Sequence, residues 1–108
     1  MATNFVQDGK TIAITAGSAA IASGELVAVG DIVAVALVDI AAGTTGDGLA
    51  EGVFFCPKLS ADVVAIGKKL YLNEDGTLQL TATDATYAGI AWSAAGAGAS
   101  FVDVKLNG

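Results

Sequence analysis

Between Gly48 and Thr81 the apolar residues come in short β-branched and aromatic runs, each cut off by a turn residue. This punctuation limits the chain to short strands joined by tight connections. Val53-Phe54-Phe55-Cys56 reads as a buried strand, and Pro57 stops it because proline has no N–H to give to a ladder. Ser60 is placed to cap one or two helical turns over Ala61 to Ile66. Its hydroxyl can accept from an otherwise orphan N–H, Asp62 sits in the first turn, and Gly67 follows where a left-handed residue is expected. Lys69 to Leu72 makes a second strand. Asn73-Glu74-Asp75-Gly76 is a turn whose Asp-Gly supplies a positive φ, and Thr77 to Thr81 returns. The centre therefore reads as strand, short helix, hairpin.

The flanks follow the same rule. Thr11 to Thr15 alternates loosely, Ala16 to Gly24 is a loop of small residues, and Leu26–Val29 and Ile32–Val38 are strands split at Gly30-Asp31. Ala42 to Gly48 reads as a long turn, Asp84 to Tyr87 as a loop, and Gly89 to Trp92 as a strand. Ser100 to Leu106 has the clearest alternation: Val102, Val104 and Leu106 point one way, Phe101, Asp103 and Lys105 the other. No internal repeat is evident. At 108 residues the chain reads as one β domain, all-β or β-rich with one short helix, as a small antiparallel barrel or sandwich.

Charge and composition narrow the function. The chain has no histidine, five lysines and a net charge of −6, which argues against a nucleic-acid partner, since binding DNA requires cations to replace counterions. Metal sites and catalytic triads built on histidine are excluded. Cys56, with no histidine to serve as its base, reads as a small buried hydrophobe. The N-terminus lacks the basic start and apolar centre of a signal peptide, and the uncharged run Ala85 to Val102 holds too many Gly, Ser and Thr residues for a spanning helix; no membrane partner is expected.

Two motif fragments fail on their spacing. Gly9-Lys10-Thr11 matches the end of a phosphate-binding loop, but Asn4 stands where that loop needs glycine. Asn73 to Gly76 matches part of a calcium loop, but the first and last ligand positions would be Tyr71 and Ala82. No cofactor, metal or catalytic residue is assigned, and an enzyme is not expected. Eleven acids are present, yet none stands in a pattern that predicts a raised pKa. Trp92 and Tyr87 could stack a ligand, although a lone tryptophan more often serves a core or an interface.

The order GxLVxVG (Gly24 to Gly30), AAG (Ala41 to Gly43), EGVFFCPK (Glu51 to Lys58), GKKLYL (Gly67 to Leu72), GIAWSAAGAG (Gly89 to Gly98) and VDVKLNG (Val102 to Gly108) resembles a family of small proteins from tailed-phage head-gene clusters. These are described as capsid cement or head decoration proteins. Some members carry a label as predicted phage recombinases of the RecA/RadA type, which the missing phosphate-binding loop does not support. The resemblance implies a structural virion protein on the outside of a capsid. It would be made in the bacterial host cytoplasm, partner the major capsid protein of a tailed phage, and by analogy form a homotrimer. A small domain with an apolar surplus suits such a role, because part of that surplus can be buried between subunits. The segment 1–10, with Asn4, Phe5 and Val6, is the expected capsid-docking arm, since an arm standing apart from the strand pattern gains contacts when a partner orders it. A virion-surface fibre or carbohydrate-binding module is the alternative and would show Trp92 or Tyr87 facing solvent. A small enzyme is a further alternative and would need converging carboxylates in a concave site.

Overall fold

The computed structural model describes residues 9–108, and these form nine strands and no helix. β1 (Thr11–Thr15), β4 (Thr45–Leu49), β3 (Ile32–Ala36) and β2 (Leu26–Val29) lie side by side in that order. The second sheet runs β5 (Val53–Pro57), β9 (Phe101–Leu106), β8 (Thr86–Ala91), β6 (Lys69–Leu72), β7 (Leu78–Gln79). Neighbouring strands are antiparallel throughout, and one sheet curls into half a barrel. The all-β reading holds.

The two sheets repeat one plan. In the first, Thr11 pairs with Leu49, Leu49 with Val35, and Val35 with Leu26. In the second, Val53 pairs with Lys105, Lys105 with Ile90, and Ile90 with Lys69. The loop hydrogen bonds repeat too. Ile21 and Ile40 exchange two N–H···O bonds of 2.8 Å, as Val64 and Ala95 do at 2.8 and 2.9 Å. The Gly24 N–H donates to the Ala36 carbonyl at 2.8 Å, and the Gly67 N–H to the Ala91 carbonyl at 2.8 Å. The Leu37 and Trp92 N–H groups donate to the Asp47 and Asp103 carbonyls. The units are β1–β4 and β5–β9, the second carrying β7 in the long connection that replaces the Gly30-Asp31 turn. The repeat absent from the sequence is thus present in the ladder.

Two apolar clusters hold the sheets. Leu26, Val33 and Val35 of the first sheet pack with Cys56, Leu70, Leu78, Val102, Val104 and Leu106 of the second. Ala34 and Ala36, on the other face of β3, pack with Ile14, Ala16 and Ile40. β3 is therefore buried on both faces, which is why its sequence lacks alternation between apolar and polar residues.

Several readings of the sequence are corrected. Ala61 to Ile66 is not a helix: Ser60-Ala61 is a turn, Val64 bridges to Ala95, and the Asp62 carboxylate accepts the Leu80 N–H at 3.1 Å instead of capping its own segment. Long-range partners for the backbone outweigh the local cap. Residues 45–49 are not turn but β4, a strand written TGDGL. Its glycines leave room for isoleucines: a Cβ at Gly46 would lie 2.7 Å from the Ile40 side chain, and one at Gly48 would overlap the Ile14 Cδ1. β8 begins at Thr86, inside the expected loop. Pro57 belongs to β5, paired with Phe101, because β5 is an edge strand where a missing N–H is tolerated. The strand Val53 to Cys56 is only half-buried, with Cys56 inside and Phe55 outside. The hairpin turn holds as read: Gly76 has φ +83°, and the Asn73 Oδ1 accepts N–H bonds from Asp75 (2.9 Å) and Thr77 (3.2 Å).

Candidate functional site

The register of β5 on β9 sets which side chains share a face. Phe54 and Cys56 pair with Val104 and Val102 and turn inward, so Val53, Phe55 and Pro57 turn outward beside Lys105, Asp103 and Phe101. The outward side of β9 is the one its alternation predicted. Phe55 is 71% exposed and Phe101 47%, with their rings stacked at 4.8 Å and 15° between planes. Trp92 follows the end of β8, its N–H held by the Asp103 carbonyl at 2.7 Å. It is 51% exposed, and the Lys105 Nζ lies 5.6 Å from its ring centroid. The result is an open aromatic face carrying one carboxylate and one ammonium. Phe55 was missed as an outward residue because its run is uniformly apolar; its diagonal relation to Phe101 emerges only with the β5–β9 register.

The remaining candidates do not converge on chemistry. Cys56 is buried, and burial with the Asp103 charge pushes its thiol up from 9.0 to about 11, so it is a poor nucleophile at neutral pH. Tyr87 packs edge-on against Tyr71 and donates its hydroxyl to the Gly108 carbonyl at 2.6 Å, which ties its polar end to the chain terminus. Gly9-Lys10-Thr11 leads into strand β1, not into the helix a phosphate loop requires. A hollow between β2 and the β6–β7 turn is lined by Glu25, Glu74 and Asp75, but among the described residues no group of acids is placed to hold a metal ion. Lys58 is a buried cation, 4% exposed, whose Nζ donates to the main-chain carbonyls of Leu59 (2.8 Å) and Asp62 (2.6 Å). It pins the loop after β5. Asn4, Phe5 and Val6, the expected arm residues, lie outside the described residues.

Over residues 6–106 the sequence matches the family described as phage cement protein. The chain belongs to the phage cement protein family. No curated protein and no solved structure matches it. Cement proteins are a structural, capsid-associated family and not an enzyme class, so the virion capsid is the setting in which the aromatic face has to be understood. Among the described residues no helix is long and apolar enough to cross a membrane.

Proposed function

We propose that this cement protein binds the outside of a tailed-phage capsid shell, with the major capsid protein as its partner, and stabilises that shell without catalysing a reaction. The observation that carries this reading is the family match across nearly the whole chain. It is supported by a β scaffold that spends its exposed aromatic surface on an open sheet face instead of a pocket. The protein is made in the host cytoplasm, assembles as a trimer on the shell, and uses the arm 1–10, with Asn4, Phe5 and Val6, as part of its contact. The deciding experiment is co-sedimentation with purified heads that lack the protein. Binding to heads together with a raised head melting temperature is expected; full-length protein that stays in the supernatant overturns the reading. Deleting residues 2–8 should weaken head binding and leave the thermal transition of the free protein unchanged. Equal binding by the truncated chain refutes the arm.

A second reading is kept by one observation, the half-exposed Trp92. A virion-surface carbohydrate-binding module stacks sugars on such a ring. Asp103 and Lys105 beside it carry groups that can bond sugar hydroxyls, so the preference for a protein partner rests on the family match. Quenching of Trp92 fluorescence by host-surface glycans, and not by shells, would reverse the preference.

A further inference from the structure

The repeated plan provides an internal control for the aromatic face. Matching ladders place Val53, Phe55 and Pro57 where the first unit has Thr11, Ala13 and Thr15. They place Phe101 where it has Thr45, Lys105 where it has Leu49, and Trp92 where it has Leu37. The first unit forms the same four-strand ladder with threonine, alanine and leucine there, and no aromatic ring; Thr15 and Thr45 are joined by a hydroxyl hydrogen bond of 3.0 Å at the site matching Pro57 and Phe101, and Leu37, at the site matching Trp92, is 43% exposed. The ladder therefore does not demand aromatic rings at these outward positions. Rings left in solvent where the fold accepts threonine, alanine and leucine are the mark of a surface kept for a partner.

We infer that the face formed by Phe55, Phe101 and Trp92 is the surface that seats on the shell, and that its partner is an uncharged apolar hollow on the outer side of the shell protein. This assignment rests on the cement reading above. Two observations favour the shell over a second copy of the chain. Taking about 200 Å² for a whole aromatic side chain, the three rings leave roughly 350 Å² open, so the rings by themselves fall short of the ~800 Å² per partner that holds two free proteins together. A shell, by contrast, presents the same hollow to every copy of an oligomer, so a small patch gains from multivalency. The second is continuity with the arm. Gly9, which belongs to the proposed arm 1–10 and is the first described residue, lines one hollow together with Glu51, Lys105, Asn107 and Gly108, at the Lys105 end of this face. The charge also fits: Asp103 and Lys105 cancel within a chain of net charge −6, so the face is relieved of the acidic excess.

The test grafts the first unit's residues onto the second. Full-length Phe55→Ala/Phe101→Thr and, separately, Trp92→Leu are compared with the wild type for binding to purified heads, sedimentation and melting. The expected result is head binding weakened at least tenfold by the double variant, as for aromatic anchors at interface centres, with oligomeric state unchanged. Trp92→Leu, a single exposed substitution, keeps the question answerable if the double variant does not fold. Variants that bind heads within twofold of the wild type overturn the assignment while leaving the cement reading intact. Loss of self-association in the variants also overturns it, since the face then joins copies. Wild-type protein that fails to bind heads overturns the cement reading, and this assignment falls with it.

Discussion

Where the first unit has Ile14 the second has Cys56, and where the first has Ile40 the second has Ala95. On the facing strand the sizes are reversed: Gly46 and Gly48 of β4 become Val102 and Val104 of β9. Each unit thus fills the space between these strands with one large and one small partner but assigns them to opposite sides. The lesson is that the shared ladder specifies a volume and not a residue. Outside, where no volume constrains the choice, the units differ in kind: the first carries threonine, alanine and leucine where the second carries the rings of Phe55, Phe101 and Trp92.

The largest expected effect comes from forcing one unit's solution into the other. Gly48→Val gives β4 the side chain of Val104 while Ile14 still occupies the space, and a Cβ alone already overlaps Ile14. A loss of at least ~3 kcal/mol in denaturant unfolding is expected, or failure to fold. Adding Ile14→Cys, the second unit's partner, should recover at least ~1 kcal/mol of that loss in a double-mutant cycle. A purely additive cycle would break the idea of reciprocal filling.

This reversal explains why so little of the repeat was legible in the sequence. Gly46 and Gly48 read as turn by propensity, since nothing local announces that Ile14 and Ile40 will occupy their side-chain space. The strands carrying their own pattern, β2, β3, β6 and the alternating β9, were legible, as were the Gly30-Asp31 and Asp75-Gly76 turns. Ala61 to Ile66 carried correct local helix signals that lost to Val64's pairing with Ala95, a partner set by the fold. The docking face was half legible: Phe101 and Trp92 could be singled out by alternation and type, whereas Phe55 needed the register.

A second difference between the units lies at the residue after each first strand. Ala16 is buried there in the first unit and Lys58 in the second. The lysine is held by two main-chain carbonyls. Lys58→Ala makes the second unit like the first but removes the donor from both carbonyls. The expected cost is about 2 kcal/mol, with faster amide exchange between Leu59 and Val64. A change below ~0.5 kcal/mol would mean that the loop holds without the cation and that the units are interchangeable here.

The smallest effect sharpens the comparison at Ile14 and Cys56, where only the second unit is titratable. Burial, reinforced by the Asp103 charge, raises the Cys56 thiol from 9.0 to about 11. The folded state therefore favours the protonated form, and its contribution to stability is complete below pH 9 and lost as pH rises toward 11. At pH 10 one of the two pH units has been crossed, a loss of about 1.4 kcal/mol relative to pH 8. The wild-type curve sums every pH-dependent contribution, so it alone does not isolate the thiol. Cys56→Val does, because it keeps an apolar side chain where the first unit has isoleucine and removes the proton. Subtracting its pH 8 to pH 10 change in unfolding free energy from that of the wild type should leave about 1.4 kcal/mol. A difference near zero would show that the Cys56 pocket opens to water as readily as the surface, and that the second unit is packed more loosely than the first at the one position where their cores can be compared by titration.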